Sequence, residues 1–128
     1  MPNFVERVGT VKELEAVRAK AAEWGLPIAL VLSSSGGTAS TLKALSTEYR
    51  RRLIVAEHKA KQGSQVAALL GVASFPAVLG FKAAGGDGAP VRLEKEPTFH
   101  RLDAFFRKLA LPKPVLKKPA THAAKEEL

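Results

Sequence analysis

Cysteine is missing altogether from this 128-residue chain. Its absence excludes disulfides, thiolate nucleophiles and cysteine-ligated metals. It does not fix a compartment, because a domain without thiols is stable in either redox setting. No run of about 18 apolar residues occurs, so nothing reads as a membrane-spanning helix. Residues 1–8 lack the charged-then-apolar form of a secretory signal. The expectation is therefore a cytoplasmic protein or a piece of a longer chain. His58, His100 and His122 are dispersed, none has a second ligand two to four residues on that makes a convincing site, and no metal is expected. The phosphate-loop pattern G-x-x-x-x-G-K-[ST] is absent. No Ser/His/Asp arrangement can be drawn from one sequence so rich in serine, and neither catalytic residues nor a cofactor are expected.

Apolar residues make up 46% of the chain, enough for one globular domain with a core. Acidic residues are the scarce charge: 12 against 20 basic, a net +8. Residues 1–106 carry 14 basic and 10 acidic side chains; residues 107–128 carry 6 basic and 2 acidic. Half the excess thus sits on Arg107, Lys108, Lys113, Lys117, Lys118 and Lys125. Such an excess attracts phosphate polymers or anionic lipid. A solvated tail is the plainer reading and nucleic acid the lesser one.

Apolar periodicity organises the chain into alternating elements. A short strand is read at Phe4 to Val8. Thr10-Val11-Lys12-Glu13 is a capping box opening a helix with Leu14, Val17, Ala21 and Trp24 on one face, stopped by Gly25 and Pro27. Ile28 to Leu32 is an unbroken apolar run, which suits a strand covered on both faces. A second helix begins near Thr38 or Ser40 and carries Leu42, Leu45 and Tyr49 inward. Arg50-Arg51-Arg52 is placed in its last turn, facing solvent and complementing the helix dipole rather than nucleic acid. Leu53 to Ala56 is a strand, with Glu57 and His58 at its end on the surface. Ser64 to Leu70 is a short helix with Val66, Leu69 and Leu70 inward. Ala77 to Phe81 and Pro90 to Leu93 form a hairpin through Gly85-Gly86-Asp87-Gly88. Thr98 caps a last helix with Leu102, Phe105, Phe106 and Leu109 inward. The domain is set at residues 3–110 and expected to be monomeric. Residues 111–128 are read as a disordered basic, Pro/Lys/Ala-rich tail.

The order is βαβαβαββα, an α/β fold with a mixed central sheet and helices on both faces. Between the third helix and the strand at Ala77 lies Gly71-Val72-Ala73-Ser74-Phe75-Pro76. Proline has no N–H for a ladder, so Pro76 must stand at a strand's start, edge or bulge. This "G-V-x-S-F-P" connection resembles the cis-proline loop of the thioredoxin superfamily, and the resemblance covers residues 3–110. It implies a thioredoxin-like fold. It places the family's C-x-x-C motif in Ser33-Ser34-Ser35-Gly36-Gly37-Thr38-Ala39-Ser40, with Gly37 and Ser40 where the cysteines would stand. Ser35, Gly36, Gly37, Thr38 and Ser40 then form a degenerate active-site loop. The family's buried carboxylate is also missing from the apolar run 28–32. The chain accordingly resembles the redox-inactive domains found in protein disulfide isomerases or appended to J-domain co-chaperones.

Binding is what the resemblance leaves. In the family, backbone beside the cis proline pairs with an extended substrate. Carried over, that implies a peptide site at Ser74, Phe75, Pro76 and Ala77, recognising protein or peptide clients by β-augmentation. The plainer alternative packs Phe75 in the core. Two other readings stay open. Ser33 to Thr38 looks like the flavodoxin phosphate loop S-x-T-G-x-T, with Ser35 for the inner threonine, and would hold a flavin or phosphate ligand. Arg50–Arg52 with the basic tail would hold nucleic acid. Finally, Lys125-Glu126-Glu127-Leu128 looks like a KDEL-type retrieval signal, which implies the endoplasmic reticulum lumen.

Overall fold

A computed structural model describes residues 4–33, 40–60, 63–82, 90–93 and 98–116. The elements are β1 (Glu6–Arg7), α1 (Val11–Trp24), β2 (Ile28–Ser33), α2 (Ser40–Glu48), β3 (Ile54–Lys59), α3 (Gln65–Leu70), β4 (Ala77–Phe81), β5 (Val91–Arg92) and α4 (Phe99–Leu109). They form one five-stranded sheet in the order β1-β3-β2-β4-β5. Strands β1, β3 and β2 run parallel; β4 is antiparallel to both β2 and β5. The α/β architecture read from periodicity is the one observed, although β1 is two residues long rather than five.

Local chemistry sets the helix limits. Thr10 Oγ1 accepts from the Glu13 N–H at 3.1 Å, while Glu13 Oε1 accepts from the Thr10 N–H at 3.2 Å. This capping box satisfies donors that the first helical turn leaves orphaned. Gly25 and Gly71 end α1 and α3 in the left-handed region, at φ 69° and 70°, a conformation glycine adopts without a Cβ penalty. Thr98 Oγ1 accepts from the Arg101 N–H and starts α4.

The sheet separates two apolar layers. On one face, Leu14, Val17 and Ala21 of α1 and Val66 and Ala67 of α3 pack over Leu30, Leu32, Ala56 and Leu79. On the other, Leu42 and Leu45 of α2 and Leu102 and Phe106 of α4 pack over Ala29, Val55 and Val78. Phe106 is wholly buried, and truncating such a side chain to alanine costs about 3–5 kcal/mol.

Several expectations are corrected. Leu69 points to solvent, 62% exposed, and Ala67 takes the inward place beside Val66. The arginine run follows α2 instead of closing its last turn, since that helix ends at Glu48. Nor does the run simply face solvent. The Arg50 guanidinium lies 4.4 Å from the Phe4 ring centroid. Arg52 Nε donates to the Leu111 carbonyl at 2.8 Å, and Arg51 donates to the Leu116 carbonyl at 3.3 Å. The Leu111 N–H returns a bond to the Arg52 carbonyl, and the Val115 N–H one to Arg51. Arg51 itself sits at φ 65°, which costs a non-glycine residue about 1 kcal/mol. These reciprocal bonds hold it there. Packing therefore continues beyond α4, with Leu111 and Val115 against the first apolar layer. The Gly85–Gly88 turn and residues 117–128 lie outside the described residues.

Candidate functional site at the proline end of the sheet

The C-terminal ends of β1, β3 and β2 and the N-terminal end of β4 share one edge of the sheet. In open α/β sheets this edge is where ligands bind. The Phe75–Pro76 peptide bond is cis, and β4 starts at the next residue. Ala77 pairs with Leu32, so Pro76 and Ser33 each stand one residue further out on neighbouring strands. Ser33 in turn pairs with Lys59 of β3. The Ser33 carbonyl accepts from the Ala60 N–H at 2.7 Å.

The four residues assigned to peptide binding divide into two kinds. Ser74 and Pro76 are exposed. Phe75 is half-buried and packs against the first apolar layer, and Ala77 is buried at 3% exposure. The loop thus offers Ser74, Pro76 and backbone to solvent and anchors itself through Phe75. Of the degenerate active-site loop, Ser40 is exposed at the first residue of α2. Ser35, Gly36, Gly37 and Thr38 lie outside the described residues, as does all of the candidate phosphate loop except Ser33.

Glu57 and His58, expected on the surface, are instead buried, each 3% exposed. Strand β3 is an inner strand between β1 and β2, and an apolar layer covers each face of the sheet. One signal in the sequence pointed there. An apolar run entering a parallel sheet needs a partner for each residue, and β2 pairs with β3 from Ile28 opposite Ile54 as far as Ser33 opposite Lys59.

Glu57 and His58 face opposite sides of the sheet, as successive strand residues must. Glu57 has the Lys59 ammonium at 3.5 Å and the Arg7 guanidinium at 3.8 Å. A carboxylate this buried needs such compensation, because desolvating it unpaired would cost several kcal/mol. Lys59 Nζ also donates to Ser33 Oγ at 3.5 Å. The result is a charged row from β1 through β3 to Ser33 at the end of β2. His58 lies on the other face. Its Nδ1 is 2.7 Å from the Val8 carbonyl oxygen and its Nε2 is 2.7 Å from Ser64 Oγ. A carbonyl only accepts, so Nδ1 carries the proton and Nε2 receives one from Ser64. A cavity of about 520 Å³ opens beside these groups at the ends of β1 and β3. Among the described residues no group of three or more His, Asp or Glu is placed to hold a metal ion.

No protein-family model matches this sequence, and no curated protein does. Solved structures do match, and they define the class: the chain has a thioredoxin fold. The J-Trx1 fragment of ERdj5 superposes with a TM-score of 0.63 at 19% identity, over 82% of this chain and 49% of that one. The chain thus spans about half of that fragment, and it covers 16% of full-length ERdj5. Thioredoxin NaTrxh from Nicotiana alata gives 0.66 at 14% identity, over 86% of this chain and 96% of that one. The germline-specific thioredoxin Deadhead of Drosophila melanogaster gives 0.61 at 20%, over 82% and 99%. This chain sets the same architecture around a site edge without a thiol, since it contains no cysteine. Among the described residues no helix is long and apolar enough to cross a membrane.

Proposed function

We propose that this chain is a redox-inactive, thioredoxin-like binding module that holds extended protein or peptide segments at Ser74–Ala77. The supporting observation is the loop itself: half-buried Phe75 anchors it on the first apolar layer, with Ser74 and Pro76 open to solvent at the head of β4. A strand start interrupted by proline leaves room for a partner strand to add by β-augmentation, with main-chain bonds giving affinity. Thiol–disulfide exchange needs a thiolate, and this chain has none to offer. The module works by binding.

A place within a larger chaperone or disulfide-isomerase-type protein fits two features. ERdj5, a longer chain, contains a unit of this fold. The ending Lys125-Glu126-Glu127-Leu128 resembles a lumenal retrieval signal, which favours the endoplasmic reticulum lumen.

A fluorescence-anisotropy titration of a labelled, unfolded peptide tests the binding site. Ser74→Trp, a bulky change at an exposed loop position, should weaken binding about tenfold or more while the circular dichroism stays unchanged. Equal affinity in the variant would move the site elsewhere.

A further inference from the structure

The cavity between β1, β3 and the start of α3 holds an arrangement that the peptide-binding reading does not use. Ser64 Oγ and His58 Nε2 are 2.7 Å apart, and His58 Nδ1 is 2.7 Å from the Val8 carbonyl. The carbonyl fixes the tautomer and the ring orientation, so the imidazole presents its basic nitrogen to a serine hydroxyl. A nucleophile, a base within hydrogen-bond reach and a third group orienting the base are the parts of an activated serine. The backbone N–H of Ala67 donates to the same Oγ at 3.1 Å, which favours the oxygen as its proton leaves. His58 is buried, Ser64 is half-buried, and both line a cavity of about 520 Å³. That volume is in the range that accepts a small molecule. Its wall combines apolar Val8, Val11 and Val66 with polar Thr10, Glu13 and Gln65.

We infer that Ser64 is an activated nucleophile that accepts an acyl group from small carboxylic esters entering this cavity. Oγ forms a bond to the carbonyl carbon, and its proton passes to His58 Nε2. The bond to the leaving alcohol or phenol breaks, and that group departs with the bonding electron pair. The imidazolium then returns its proton to the leaving group or to water. A serine serving only as the cap of α3 makes the same bond to Ala67 but has no enhanced reactivity.

The test uses the full chain with p-nitrophenyl acetate, read as p-nitrophenolate release, and with an alkyl fluorophosphonate, read by intact mass and peptide mapping. The expected result is one phosphonyl adduct, on Ser64, and a burst of p-nitrophenolate that Ser64→Ala abolishes. His58→Gln should slow labelling by about 100-fold or more, the scale of a lost general base. No adduct on Ser64 in the folded protein, or adducts confined to other side chains, overturns the proposal. A second variant guards against a misfolded His58→Gln. Ser64→Cys introduces a single thiol into a chain that has none. Its pH–rate profile with an aromatic disulfide should have a midpoint below that of Ala22→Cys, a thiol on the exposed face of α1. A midpoint at or above that reference also overturns the proposal.

Discussion

The Tyr49 hydroxyl donates a 2.6 Å hydrogen bond to Asp103 Oδ1, joining the end of the second helix to the middle of α4 across 54 positions of sequence. Asp103 is held in place from its own helix by Arg107, whose guanidinium reaches Oδ2 at 2.7 Å. The phenol ring meets Phe106 edge-on at 6.2 Å. Burial pushes the Tyr49 hydroxyl above its ordinary pKa, and the bond to Asp103 adds to that. The folded state thus keeps its proton where the unfolded chain has begun to lose it. This contribution is complete below about pH 10 and fades as pH rises through the folded value. The thermal midpoint should fall above about pH 10, and less steeply in Tyr49→Phe. At pH 7 that variant should lose about 1 kcal/mol in urea denaturation.

Gly80 in β4 lies directly under Phe105 and Leu109 of α4. A Cβ there would stand 2.9 Å from Leu109 Cδ2 and 3.2 Å from two ring atoms of Phe105. Overpacking of this kind costs about 1–3 kcal/mol. Gly80→Ala should lower the denaturation midpoint by that amount. The double variant Gly80→Ala with Leu109→Ala should recover part of the loss, as space is returned.

The arginine pair after α2 fastens residues 111–116 to the body of the domain. Arg52→Ala removes a charged donor from the Leu111 carbonyl, an interaction class worth about 1.5–3 kcal/mol. Limited proteolysis of the variant should cut between Ala110 and Leu116 well before wild type does. The far-UV circular dichroism should be unchanged.

Much of this architecture was legible because it is local. The Thr10 capping box, the Gly25 and Gly71 stops, the apolar run of β2 and the Thr98 cap each declare themselves within a few residues. The placement of Glu57, His58 and the arginines was not, because their partners are remote. His58 is bound by Val8, 50 residues away, and Arg51 by Leu116, 65 residues away. The six-residue α3 is too short for periodicity to choose between Leu69 and Ala67 as an inward residue. Of the candidate site, Pro76 was found from its missing N–H. The division of its neighbours into exposed Ser74 and anchoring Phe75 depends on how the loop lies over the first apolar layer, which no spacing rule encodes.

The missing thiols have a direct kinetic consequence. Turbidity from insulin in the presence of dithiothreitol should rise at the rate of the buffer alone at any concentration of this protein, because exchange proceeds through a protein thiolate. Acceleration that scales with protein concentration would require another chemistry at the same edge of the sheet.

Whether the head of β4 receives an extended partner is read out by an amide-resolved NMR titration with an unfolded peptide. Saturable shifts are expected for the Ser74, Phe75 and Ala77 amides, joined by those of Leu32 and Ser33 on the neighbouring strand. Saturable binding that leaves these five amides in place and shifts only signals elsewhere, such as those of residues 111–116, would contradict this expectation.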